Sequence, residues 1–352
     1  MSVEQRRSLI LRQVRARGSV RLTDLVEELG VSAVTLRRDV EHLAGQGLLM
    51  RVHGGVTLPP SPAAGPSPGP GPAAAARLTV GMLVPSAHYY YPEVIKGAQE
   101  RAAAAGARLV LGISRYEDDE ERAQVRQLIK DGADGLLLTP SRQPDESHAE
   151  WLAGLPVPAV LVERRAEPAG PGSMFDAVAS DHAHGAYLAV RHLAELGHRR
   201  LALVAYASPT TPRIRAGVLA GAQALGMERP AEIVIDRERA LDLFIADVLR
   251  LVREDAVTGL VAHNDEDALS LVRNLTAAGV DIPGEVSLVA YDDEVARFCS
   301  PSLTAVAPPK AEVGRCAVDM LVMRLTQGVS APGRHLALLP ELRVRESTAA
   351  AR

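Results

Sequence analysis

Two kinds of chemistry are written into short stretches of this 352-residue chain. Near its start, "VSAVTLRRDVEHLAGQGLLMRVHGGV" at 31–56 carries Ser32, Thr35, Arg37 and Arg38 on a helical pattern, then Arg51 and His53 beside the pair Gly54-Gly55. Guanidinium forks match guanine edges and phosphate oxygens, and small hydroxyls permit close approach to a groove. Far downstream, Asn264-Asp265 follows the apolar run "GLVAH" and Asp292-Asp293 follows "SLVAY". A carboxylate beside an amide offers paired donors and acceptors, which suits the adjacent hydroxyls of a sugar or nucleoside. Tyr90 and Tyr91 could stack on an apolar ligand face, and Arg213 or Arg215 could add a charged fork. Each member also has a purely structural reading. Arg37 can pair with Glu41, Asp265 can cap a helix and Asp293 can order a loop.

The elements that must position these residues fall into two groups. Residues 1–57 fit three short helices, at about 3–16, 22–29 and 32–44, then a two-stranded ribbon around "GLLMRVHGGVTL". Thr23 and Ser32 stand at N-cap positions and Gly30 where the second helix must stop. Val34, Val40 and Leu43 supply an apolar stripe to pack on Leu9, Leu22, Leu25 and Leu29, while Thr35, Arg37, Arg38 and His42 fall largely outside it. The glycine pair lets the ribbon turn tightly, so one part of the stretch can enter a groove while the other forms a wing beside it. Residues 58–76, "LPPSPAAGPSPGPGPAAAA", lack any side chain able to anchor a core and read as a linker. From 77 onward, apolar runs such as "RLTVGMLVP", "DGLLLTP", "PAVLVE" and "RLALVAY" alternate with amphipathic helical patterns. That alternation predicts parallel sheets covered by helices on both faces, and about ten such units predict two α/β lobes. Ligands of such sheets bind beyond the carboxyl ends of strands, where Tyr90, Arg213, Asn264 and Asp292 all stand.

Charge divides along the same boundary. The whole chain has a formal charge of −4, yet residues 1–57 hold nine arginines against six acids, a balance of +3 that leaves −7 for the rest. A basic head on an acidic body predicts that the head alone meets a polyanion. Two cysteines, Cys299 and Cys316, without metal spacing, fit a reduced cytoplasm, and no apolar run suits a signal peptide or a membrane span. There is no phosphate loop, nucleophile elbow or metal cluster, so neither a catalytic residue, a metal nor a cofactor is expected. "DHAHG" at 181–185 invites a metal reading, but two histidines just ahead of an apolar helix stretch read better as a solvated helix start.

Two resemblances sharpen these expectations. Residues 1–57 resemble the DeoR-type winged helix-turn-helix in Val31-Ser32, Thr35-Leu36-Arg37-Arg38-Asp39-Val40, Leu43, Gly47-Leu48 and Arg51-Val52-His53-Gly54-Gly55. The likeness implies sequence-specific DNA binding by a transcription regulator, with Ser32, Thr35, Arg37 and Arg38 as contacts. Residues 77–348 resemble the periplasmic-binding-protein-like effector domain of LacI/GalR-type regulators, through the segment from "VGMLVPSAHYYYPEV", the Leu-Gly-His-Arg step at 196–199, "GLVAHNDEDAL", "GVDIPGEVSLVAYDD", "SPSLTAV" and "ELRVREST". This body departs from its family at two places. The family's arginine three residues before the helix glycine is Ile214 here, and "YYYP" replaces an Asn-Pro-aromatic-aromatic loop.

The expected protein is therefore an α/β repressor: a winged helix-turn-helix joined by a linker to a two-lobed body that takes a small effector, a sugar before a nucleoside. Its expected partners are a double-stranded DNA operator and a second copy of itself, with a tetramer left open and no membrane. Ligand would close the lobes and alter the reach of paired heads. The alternatives are an activator or corepressor-dependent regulator responding to a nucleoside or other polar metabolite, and a non-enzymatic solute-binding protein, which would need an export signal and no basic head.

Overall fold

The computed structural model describes residues 78–164, 170–235, 241–328 and 332–351 continuously. In the N-terminal part it describes 6, 9–10, 14, 19–21, 25–26, 31, 35–36, 39–40, 43, 50–52 and 55–57. The chain forms two compact units, Met1–Ala75 and Ala76–Arg352.

In the first unit, helical residues fall in the three segments where helices are expected. Their buried side chains are Ile10, Val14, Leu25, Leu36, Val40 and Leu43. Ile10 and Val14 take the place expected of Leu9, which is only half-buried. Val34, Leu22, Leu29, Gly30 and the expected caps Thr23 and Ser32 lie outside the described residues. Asp39 is buried and accepts from Arg6 Nε at 2.5 Å, which fastens the third helical segment to the first. The ribbon is a three-stranded sheet rather than a pair. Strand β1 (Ser19–Arg21) joins β2 (Met50–Val52) and β3 (Gly55–Thr57) in the order β1-β3-β2. Val52 pairs with Gly55 across β2 and β3, so His53 and Gly54 connect them and lie outside the described residues.

The second unit is built from two six-stranded sheets. One holds β4 (Thr79–Val84), β5 (Arg108–Ile113), β6 (Gly135–Leu138), β7 (Ala159–Val162), β8 (Asp176–Ser180) and, from far downstream, β14 (His335–Leu338), in the order β14-β8-β7-β6-β4-β5 and all parallel. The other holds β9 (Leu201–Tyr206), β10 (Ala231–Ile235), β11 (Gly259–His263), β12 (Ser287–Tyr291), β13 (Thr304–Ala307) and β15 (Glu341–Arg343), in the order β10-β9-β11-β12-β13-β15 with only β15 antiparallel. Strands β4, β6, β11, β12 and β13 are buried at every residue, the mark of sheets covered on both faces, and the edge strands β5 and β10 are partly exposed.

Helices fill the faces. In the first lobe these are α1 (Tyr91–Ala104), α2 (Asp118–Lys130) and α3 (Glu146–Ala153). In the second they are α4 (His182–Glu195), α5 (Thr211–Ala224), α6 (Leu241–Arg253) and α7 (Asp265–Ala277). Helix α8 (Lys310–Gln327) follows β13 yet packs in the first lobe, with Val313, Ala317, Val318 and Leu321 in the cluster built on Val80, Met82 and Val94. The chain thus passes between lobes three times, at 181, at 308–309 and at 339–340. Close helix approach depends on glycine. A Cβ on Gly97 of α1 would strike the Ala311 carbonyl of α8, and one on Gly217 of α5 would strike that of Ala183 on α4. His198, from the Leu-Gly-His-Arg step, is buried and ties Thr258, Ser287 and the Ala349 carbonyl together at 2.9–3.0 Å. Among the described residues, no helix is long and apolar enough to cross a membrane.

Candidate functional site

Strand carboxyl ends from both sheets face one cavity of about 500 Å³, with walls from the two lobes. From the first lobe, Tyr90 and Tyr91 enter at the start of α1, and Glu163 and Arg164 follow β7. From the second, Tyr206 ends β9, His263 ends β11 and Asp292 follows β12. Four residues on the cavity wall, Tyr89, Tyr116, Glu163 and Asp292, adopt positive φ of 53–82° without being glycine. Such backbone costs on the order of 1–3 kcal/mol per residue and persists where surrounding contacts over-determine it, commonly at functional sites.

The two principal carboxylates sit in unlike environments. Glu163 Oε1 accepts from Tyr90 Oη at 2.6 Å and Ser180 Oγ at 2.9 Å, and Oε2 accepts from the Ser180 amide at 3.1 Å, with His182 Nε2 at 3.6 Å. Burial alone would raise this carboxyl, but His182, Tyr90 and the Ser180 amide outweigh it and hold it below the ordinary value. Asp292 is equally buried, and its carboxylate receives one hydrogen bond among the described residues, from Tyr89 Oη at 3.3 Å. Burial pushes it up to about 7, with Asp265 adding to the rise and Lys310 and His182 opposing it. Lys310, itself buried at the start of α8, donates to the Asp292 backbone carbonyl and to Glu294. Burial, followed by the nearby His182, lowers His263 to about 3, so this ring is neutral. It stacks on Tyr206 with centroids 5.2 Å apart, and its buried Nδ1 has no partner among the described residues.

Of the effector contacts expected from sequence, Tyr90, Tyr91, Asn264 and Asp292 line this cavity. Three others do not. Asp265 lies behind the wall, fully buried, where it accepts from Tyr89 Oη and from the amides of Val295 and Ala296 at 2.7 and 3.0 Å. Its expected alternative as helix cap passes to Asn264, whose side chain accepts from the Asp267 amide at 3.1 Å. Arg215 donates to Glu232 of β10 at 2.6 Å, and Arg213 is half-buried and is not among the lining residues. Between them Ile214 is fully buried in the apolar cluster that holds Val218 and Val261. Asp293 accepts from Arg343 and Arg345 at 2.8 and 3.0 Å, the loop-ordering role.

His182 corrects the sequence reading of "DHAHG". It is 4% exposed, not solvated, because α4 begins where the chain passes between lobes. Its Nδ1 lies 3.3 Å from Tyr291 Oη, and no metal-holding group of three or more ligands occurs among the described residues. Glu163 and Arg164 were missed, although "VPAVLVERR" places them just past an apolar strand, the same signal that marks Asn264 and Asp292.

Of the expected DNA contacts, Thr35 is half-buried on a helical segment, and Arg51 lies in β2 opposite Val56. Ser32, Arg37, Arg38 and His53 lie outside the described residues.

Comparison with known proteins agrees with this division. Residues 6–61 match the DeoR-like helix-turn-helix domain and residues 190–348 the periplasmic binding protein-like domain. The arabinose metabolism transcriptional repressor of Geobacillus stearothermophilus is 26% identical over 338 residues, covering 92% of this chain and 90% of that protein. The HTH-type transcriptional repressor PurR of Haemophilus influenzae is 28% identical over 277 residues, 76% of this chain and 81% of its own. A LacI family transcriptional regulator from Enterococcus faecium, solved with bound ribose, superposes with a TM-score of 0.64 at 24% identity, covering 78% of this chain and all of that one. The chain therefore carries a DeoR-like helix-turn-helix match at residues 6–61 and a periplasmic binding protein-like match at residues 190–348, and its second unit shares its fold with a solved LacI family regulator.

Proposed function

We propose that this protein is a sequence-specific DNA-binding transcriptional repressor whose operator affinity is set by a small carbohydrate-like effector held between its lobes. The observation that carries the reading is the cavity itself: both lobes wall it, and Tyr89 of the first lobe reaches Asp265 and Asp292 of the second. A ligand contacting both walls favours the closed arrangement by its differential affinity for it. Tyr90, Tyr91, Asn264, Asp292, Glu163 and His182 are the proposed effector contacts. Ser32, Thr35, Arg37, Arg38, Arg51 and His53 are the proposed DNA contacts. Two copies pair through their bodies, and residues 58–76 tether the heads, so two modest head contacts act together by effective concentration. The body performs no catalysis, and the protein works in the cytoplasm.

The test is to select bound duplexes from a random-sequence DNA library with the full chain, then measure affinity for the selected sequence against salt and against a ligand found by thermal shift. Affinity should fall steeply with salt, by a slope that counts phosphate contacts, and ligand should change it by about 5–150-fold. A selection yielding no common sequence, or an affinity indifferent to a proven ligand, would sink the proposal.

A further inference from the structure

The cavity's charges are unbalanced in one direction. Three carboxylates line it, Glu163, Asp292 and the exposed Glu266. Against them the only Arg or Lys among the described lining residues is Arg164, which is buried and donates from Nε to the Pro140 carbonyl at 2.7 Å and from Nη1 to the Glu163 carbonyl at 2.8 Å. At the start of α5, Ile214 is packed in the apolar cluster of the second lobe, and Arg215 beside it donates to Glu232. His263 adds no charge, being neutral.

Glu163 is satisfied by its own neighbours, and Asp292 is not. Glu163 has two hydroxyls, an amide and His182 around it. Asp292, 4% exposed, has one phenol at 3.3 Å, and the ammonium of Lys310 is directed to its backbone carbonyl and to Glu294. A buried carboxylate with a single long hydrogen bond is poorly compensated, and a ligand of opposite charge relieves that cost. Five tyrosines, Tyr89, Tyr90, Tyr91, Tyr116 and Tyr206, share the wall with serine, threonine and histidine side chains, and the Lys310 ammonium lies 5.2 Å from the Tyr90 ring centroid. Aromatic faces attract cations and repel anions.

We propose that the effector is a cation, a carbohydrate-like molecule in which a protonated amine replaces a hydroxyl and faces Asp292 among the tyrosine rings. The proposal rests on the reading that this cavity holds the controlling ligand. It excludes sugar phosphates and sugar acids, whose charge would meet Asp292 and Glu163 with no Arg or Lys on the described wall free of a backbone partner.

Matched ligands test it, because an amine and a hydroxyl are nearly equal in size. Calorimetric titrations of the full chain at pH 7 would compare glucose with glucosamine, galactose with galactosamine, and each amino sugar with its neutral N-acetyl form, with glucose 6-phosphate alongside. In at least one pair the amino sugar should bind tenfold or more tighter than its parent, its N-acetyl form should lose that gain, and the phosphate should not bind. In Asp292→Asn the preference should shrink to within about twofold, with an unchanged far-ultraviolet spectrum showing that the variant is folded. Equal or tighter binding of a neutral sugar or the phosphate overturns the charge proposal and leaves the repressor reading intact. Binding by no member of the panel overturns the carbohydrate-like effector along with it.

Discussion

Replacing Asp292 by asparagine should stabilise the body, by an amount that grows with pH. The carboxyl titrates near 3.8 when unfolded and at about 7 when buried beside Asp265. A carboxyl whose folded pKa is raised contributes nothing unfavourable below pH 3.8, where both states are protonated. It becomes progressively costly as pH rises toward 7, because only the unfolded chain can ionise freely. At about 1.36 kcal/mol per pH unit, the cost is about 2 kcal/mol at pH 5 and about 4 kcal/mol at pH 8. Asparagine keeps the shape and an acceptor for Tyr89 but does not titrate. The gain of Asp292→Asn over the parent should therefore be about 2–3 kcal/mol larger at pH 8 than at pH 5. For a body of this size that is a difference on the order of 5 °C in Tm shift. Scanning calorimetry of both full-length proteins without ligand at the two pH values is the assay. An equal shift at both pH values, or a variant less stable than the parent at pH 8, would refute the account of Asp292 as a buried, poorly compensated carboxylate.

Two further outcomes follow from packing. Gly217→Ala should lower the Tm of the body by the equivalent of about 1–3 kcal/mol, since its methyl would meet the Ala183 carbonyl and force α4 and α5 apart; calorimetry checks this, and a neutral substitution would mean that the helices can separate freely. Arg6→Ala should destabilise the head by about 1–3 kcal/mol through loss of its charged hydrogen bond to the buried Asp39, with the body's transition unmoved. Calorimetry of the full chain reads both transitions, and an unchanged head transition would show that Asp39 does not depend on Arg6.

The separation into two units, Met1–Ala75 and Ala76–Arg352, was legible because composition changes between them, and the two lobes of the second because continuous apolar strands are hard to mistake when both faces are covered. Asn264 and Asp292 were legible for the same reason, as polar residues that end apolar strands. Sequence failed where phase or distant partners decide. Arg213 and Arg215 look equivalent in a string, and only the fold shows Arg215 bonded to Glu232 and neither arginine among the cavity-lining residues. Ser19–Arg21 is too short to read as a strand, and its partner, Gly55–Thr57, is more than thirty residues away. His182 looked solvated because nothing local reveals that the chain changes lobes at 181 and buries the start of α4.

Those three passages between lobes also set an order of assembly during synthesis. The described core residues of the head end at Leu43 and its last described strand at Thr57. The first lobe must wait for α8 and β14, and the second for β15 at Glu341–Arg343, so neither sheet has all six strands until the chain is nearly finished. At about 5–20 residues per second, the head precedes the completed body by some tens of seconds on the ribosome. Interrupted synthesis would release heads without a finished ligand cavity or a completed body to pair through, each left with a single modest contact to DNA.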